Sequence, residues 1–271
     1  MENRLKIVKE SKGYWRVVIS NPPVNLFDPW MFAELNVLMD QMERDEELRV
    51  VVFESADENF FMDHHDVEHR LQVPEQDGGR AFFFEWSNWV SRLANSRVIS
   101  IAKVRGRAWA QGFEFILACD LVYASEKAQF ALIEVGGGAI PGGGGIEWLS
   151  KLVGRSRAIE IVCSSESYNA ELGEKYGFVT RAILDSELDQ FVDHMANRLA
   201  KFPKLAMMMG KRMVNARAGV PSTADLFMSQ YVLRSSDLWE DVINGHKDHV
   251  EKGFNIVSNL ELNLPSKLEE D

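Results

Sequence analysis

Val104-Arg-Gly106-Arg-Ala108-Trp-Ala110-Gln111-Gly112-Phe-Glu114-Phe-Ile-Leu-Ala-Cys119-Asp120 is the stretch on which the reading of this chain turns. An apolar strand ends near Val104, and an apolar helix begins near Gly112. The opening N–H groups of a helix have no carbonyl behind them, so they point outward and favour negative charge. Glu114 falls in that first turn, where the helix dipole stabilises a carboxylate. An acid there is common for that reason alone, so Glu114 is a candidate and no more at this point.

Working outward, Val98–Lys103 and Arg49–Glu54 are short apolar runs typical of inner strands, with Arg80–Ala94 helical between them. Leu5–Lys9 and Trp15–Ser20 flank Ser11-Lys-Gly13 as a hairpin. Asp28-Pro29 supplies a cap and a first-turn proline for a helix whose buried face is Phe32, Leu35, Leu38, Met39 and Met42. The stretch Gln72–Gly79, with a proline and two glycines, is expected to be a mobile loop. Downstream, Asn169 opens a helix that Gly177 closes, and Phe178–Leu184 is expected as a strand. Ser186, Pro203 and Ser222 each open a helical pattern, with Ser222 and Asp225 spaced like a capping box. The expected organisation is an α/β core over 1–185, a helical region over 186–262 that does not return to the sheet, and a loose acidic tail over 263–271.

Seven of the nineteen glycines lie between Gly136 and Gly145. A P-loop needs Lys and Ser or Thr after its last glycine, but Gly145 precedes Ile146-Glu147. A dinucleotide fingerprint counted from Gly136 meets Pro141 where glycine is required. What remains is a backbone that turns sharply and passes close to another group. Glu134 ends the apolar run Phe130-Ala-Leu-Ile133 just before this loop, so its carboxylate is either paired inside or turned into a cavity. Asp63-His64-His65-Asp66 has a metal-like composition, but adjacent residues rarely converge on one ion, and no metal is expected. His246 and His249 are read as an exposed helix face.

The net charge of −11 over 271 residues opposes phosphate backbones and anionic lipid, so neither nucleic acid nor a membrane is an expected partner. Cys119 and Cys163 sit among apolar neighbours and are read as buried thiols in a reducing compartment. With no secretion-like stretch after Met1 and no membrane-length apolar run, a cytoplasmic location is expected.

Taken in order, these segments resemble the crotonase (enoyl-CoA hydratase/isomerase) superfamily over nearly the whole chain. Asp63-His64-His65-Asp66-Val67 stands where family members carry Ala-Gly-x-Asp-[Leu/Ile]. Val104 to Phe115 matches Val-x-Gly-x-Ala-x-Gly-Gly-Gly-x-Glu-Leu, with Ala110-Gln111-Gly112 in place of the triple glycine. Phe130, Glu134, Gly138, Pro141, Gly144 and Gly145 match a Phe-x-x-x-Glu-x-x-x-Gly-x-x-Pro-x-x-Gly-Gly element. Leu152-Val-Gly-Arg-Ser-Arg-Ala158 and Ala170 to Val179 also look like family text.

The resemblance implies an α/β spiral of repeated β-β-α units, a helical trimerisation region giving a trimer or hexamer, and an acyl-CoA thioester substrate. It implies an oxyanion hole from the backbone N–H groups of His65 and Gln111. Substrate contacts are implied at Asp63, His65, Asp66, Val67, Gly112 and Gly138, and a water held between Glu114 and Glu134. Polarised by two donors, a conjugated thioester accepts water at its β-carbon, with carboxylates moving the protons. No cofactor is expected beyond the coenzyme A of the substrate. Hydration of a 2-enoyl-CoA is the leading expectation. The alternatives are a crotonase-fold isomerase or C–C hydrolase, and a non-catalytic acyl-CoA-binding protein.

Overall fold

The computed structural model describes residues 3–66, 79–236, 239, 242 and 250–268. Val67, residues 72–78, His246, His249 and residues 269–271 lie outside the described residues. A hairpin opens the chain, with β1 (Leu5–Ser11) antiparallel to β2 (Tyr14–Ile19) and Leu5 opposite Ile19. The Asp28 carboxylate accepts the Met31 N–H at 2.7 Å and so caps α1 (Pro29–Arg44), whose buried face contains all five expected residues.

From there one unit repeats. β3 (Val50–Ser55) leads to β4 (Phe60–Met62) and then α2 (Gly79–Asn95). β5 (Ile99–Val104) leads to β6 (Arg107–Trp109) and α3 (Gln111–Ala118). β7 (Leu121–Ser125) leads to β8 (Gln129–Ala131) and, after the glycine loop, α4 (Gly145–Leu152). Then come α5 (Arg155–Ser164), β9 (Tyr168–Asn169), α6 (Ala170–Tyr176) and β10 (Arg181–Ile183). The first strand of each unit enters a six-stranded sheet ordered β1-β2-β3-β5-β7-β10, and the second enters a four-stranded sheet ordered β4-β6-β8-β9. Equivalent strands of successive units run parallel, which is the expected β-β-α spiral.

Alternation along the strands decides what each face buries. Val51, Phe53, Ala102 and Val104 face a core shared with the first three helices, including Leu35, Trp89 and Phe115. Val50, Val52 and Ile101 point the other way, where Leu188, Val192 and Ala196 of α7 (Asp185–Leu199) cover them. The first C-terminal helix thus does return to the sheet, because a parallel sheet with both faces apolar needs cover on both.

α8 (Lys204–Ala218) and α9 (Thr223–Ser236) follow. Ser222 caps α9 as expected, its hydroxyl accepting the Asp225 N–H at 3.1 Å and donating to the Asp225 carboxylate at 2.7 Å. Among the described residues, no helix is long and apolar enough to cross a membrane.

Three further expectations are corrected. Phe178 and Val179 are not in a strand: their N–H groups return to Gly173 at 3.1 and 3.2 Å, and only Arg181–Ile183 joins the sheet. The apolar run signals burial instead, since Phe178 packs edge-on against Phe113 and Phe130. Cys163 is exposed, because α5 buries Ala158 and Ile161 on its other side. The loose tail does not begin at Asn263. α10 (Asn259–Leu262) and α11 (Leu264–Lys267) bring Leu260 and Leu264 onto Trp109, Ala110 and Ile133.

Candidate functional site

Two short backbone segments meet at the start of α3. Residues 63–66 run beside residues 25–27: Asp63 N–H donates to Asn25 at 3.2 Å, Phe27 N–H to His64 at 3.0 Å, and Asp66 N–H to Phe27 at 3.0 Å. The Asp63 carbonyl then accepts the Gly112 N–H at 3.1 Å, which ties this segment to the helix opening. Glycine is required at 112, because a Cβ there would lie 1.9 Å from the Met62 carbonyl oxygen. As the first residue of α3, Gln111 has no carbonyl one turn behind it to receive its N–H. Its side-chain Nε2 is also buried and without a hydrogen-bond partner. His65 sits against Phe27, with ring centroids 6.0 Å apart.

Ala110 precedes this helix with φ 44° and ψ −114°, a backbone region that favours glycine. A strained residue of this kind costs on the order of 1–3 kcal/mol, against roughly 0.4–1 kcal/mol for the extra unfolded-state freedom of glycine. Ala110→Gly is therefore expected to raise the melting temperature and leave the site intact. A lower melting temperature by calorimetry would show that the position is not strained.

Glu114 lies on α3, 2% exposed. Its Oε1 accepts two N–H groups of the glycine loop, Gly143 at 2.7 Å and Gly145 at 3.0 Å. The loop is glycine-rich because it must approach this closely: a Cβ at Gly143 would stand 2.2 Å from Glu114 Oε2. The Trp86 indole N–H holds the Gly143 carbonyl at 2.9 Å from the other side. Glu134 begins the turn after β8, with its carbonyl accepting the Ala139 N–H at 2.8 Å, and Gly138 follows within that turn at φ 82°. The residue is half-buried, yet its Oε2 is enclosed and has no hydrogen-bond partner.

Burial raises both carboxyls. Glu114 is pushed well above the usual carboxylate range, first by burial and then by the charge of Glu134, against the opposing N–H groups of Gly145 and Gly143. Burial lifts Glu134 to about 7, against its own backbone N–H and the nearby His64. Enclosed carboxyls raised in this way bind protons more readily than free ones, as groups that donate and accept protons must.

A family model for enoyl-CoA hydratase/isomerase matches residues 9–255. The chain belongs to the enoyl-CoA hydratase/isomerase family. A solved Streptomyces avermitilis structure, described as a "putative enoyl-CoA hydratase", is 33% identical with a TM-score of 0.90, covering 99% of this chain and 97% of that one. A Dictyostelium discoideum relative named "Probable enoyl-CoA hydratase, mitochondrial" is 27% identical, over 90% of this chain and 87% of its own. The "Short-chain-enoyl-CoA hydratase" of Clostridium acetobutylicum is 28% identical, over 77% of this chain and 80% of its own.

Where the family motif carries small residues, this enoyl-CoA hydratase/isomerase family member has Asp63 and His64, and both converge with Glu261 of α10. Neighbours in sequence do meet one partner here, contrary to expectation, because the third group comes from 197 residues away. His64 Nε2 is 2.9 Å from Glu261 Oε1, and its ring stacks on Phe254 at 3.8 Å with an interplanar angle of 1°. Donor atoms of the three residues lie within 4.8 Å of one another, close enough for a metal's ligand set. Both imidazole nitrogens are already hydrogen-bonded, however, so a cation would have to displace a proton. The arrangement fits a proton-sharing cluster better than a metal cradle. Burial raises the Asp63 carboxyl well above its usual range, with the Glu261 charge adding to it. Glu261 is held below its usual range by His64, although burial opposes this.

Proposed function

We propose that the protein hydrates a 2-enoyl-CoA thioester. The observation that carries the reading is two enclosed carboxyls, Glu134 after β8 and Glu114 on α3, the helix whose start is tied to residues 63–66. The thioester oxygen receives the backbone N–H groups of His65 and Gln111, which stabilise the negative charge that grows there. Asp63, Asp66, Gly112 and Gly138 line the substrate. Water sits between the two glutamates. One carboxylate takes a proton from it as the C–O bond forms at the β-carbon, and the alkene electrons move toward the thioester oxygen. The other carboxyl delivers a proton to the α-carbon as the enolate collapses. Both electrons and protons balance within this set, so the scheme requires no resident metal or redox cofactor. The test is a panel of enoyl-CoA thioesters followed at the conjugated enoyl-thioester absorbance. Loss of that band with a 3-hydroxyacyl-CoA product is expected. Free thiol release or double-bond migration would overturn hydration in favour of hydrolysis or isomerisation, and binding without turnover would mark a non-catalytic protein.

The same reading places the site in a homotrimer or a hexamer. Leu205, Met209 and Met213 recur at one-turn intervals along α8 and are exposed, as are Val214, Met228 and Tyr231. Side chains of this size left in water along a helix mark a contact surface. Light scattering is expected to give three or six copies of the 30.8 kDa chain, and a stable monomer at micromolar concentration would contradict it.

A further inference from the structure

The hydrogen bonds of His64 identify its charge state. Nδ1 lies 2.9 Å from the His65 carbonyl oxygen, which can only accept, so Nδ1 carries a proton. Nε2 lies 2.9 Å from Glu261 Oε1. Glu261 accepts the Asn255 N–H on its other oxygen at 3.0 Å, which favours its carboxylate form, so it too is an acceptor. An imidazole facing two acceptors is doubly protonated. Phe254 offers its ring face to the same cation, and a stacked aromatic face attracts positive charge. His64 itself is 3% exposed.

We propose that His64 is a fixed imidazolium, clamped between Glu261 and the His65 carbonyl, that positions the backbone of residues 63–66. His64 acts through the backbone, so it is a positioning residue. Burial by itself would discharge it, but Glu261 and Asp63 lift it to about 9. Among the described residues, the titratable groups that bear on it are Asp63 from its own segment, Glu261 from α10 and Glu134 from the turn after β8. Arg107 on β6 faces Asp63, and Glu114 on α3 faces Glu134. Of these, His64 is the cation that pulls Glu134 back toward ionisation against its burial. The consequence for rate rests on the reading of the His65 N–H as an oxyanion donor; the charge state does not.

Two measurements test this. Neutron diffraction at pH 8 is expected to find deuterons on both His64 nitrogens. A deuteron on Glu261 instead, or a metal ion between Nε2 and Glu261, would overturn the proposal. The second is the turnover of His64→Gln/Glu261→Gln, which removes the cation and its anion together and so leaves no lone buried charge. With the melting temperature retained, kcat is expected to fall by up to about a hundredfold as the backbone of residues 63–66 loses its clamp. Wild-type kcat in that folded variant would overturn the positioning role.

Discussion

Glu114→Gln and Glu134→Gln should each lower hydration on the order of a hundred- to ten-thousand-fold, the usual contribution of a general acid–base group. Glu114→Gln is not expected to disturb the glycine loop, since an amide oxygen can still accept the Gly143 and Gly145 N–H groups now received by Oε1. Stability should move the opposite way from activity. Both carboxyls bind a proton more tightly in the folded chain than in the unfolded one, because burial penalises the charge. Their favourable contribution is therefore full below the unfolded value near 4.5 and is lost as pH rises through the folded value, about 7 for Glu134. Glutamine has no charge to bury. Each variant should melt at or above the wild type at pH 8, with the advantage fading toward pH 5. Wild-type turnover in both variants would end the two-glutamate mechanism, and a collapse in melting temperature at pH 8 would mean that the carboxylates hold the fold.

Gln111→Pro should cost about a hundred- to a thousand-fold in turnover, roughly 2.7–4 kcal/mol, as expected for the loss of one oxyanion donor. The structure makes this a cleaner experiment than the sequence suggested. Gln111 is the first residue of α3, the one helical position where proline fits, because its N–H has no acceptor within the helix. The unusual backbone at Ala110 makes an unchanged melting temperature a necessary control. Gln111→Ala and Gln111→Gly keep the donor and should stay active, with altered acyl preference because the buried amide is removed. If Gln111→Ala were as inactive as Gln111→Pro, the side-chain amide would be the working group.

Much of the molecule could be read from local chemistry. The hairpin, the Asp28 cap of α1 and the apolar β3 each depend on residues close in sequence, and the structure contains all three. The order of strands and helices, together with the glycine and glutamate spacing, was enough to point to the family and to single out Glu114 and Glu134. The glycine loop was legible as a close approach, but not which group it approaches, since Gly143 and Glu114 meet only after the chain has turned through β7 and β8.

The C-terminal end was the least legible part. By itself Glu261 is an ordinary first-turn acid behind a Ser258 cap, and the polar composition after Asn263 hides Leu264. Nothing nearby in sequence marks either for His64 or Trp109. The sheet's second face has the same character: Leu188, Val192 and Ala196 form an amphipathic stripe that specifies a helix but not what it covers. Helical and strand periods, caps and turns act over a few residues, so they are written locally. The pairing of His64 with Glu261 spans 197 residues and exists only because α10 packs against the start of α3. Burial, which raises the carboxyls of Glu114 and Glu134, is likewise a property of the packed whole, and no spacing along the chain carries it.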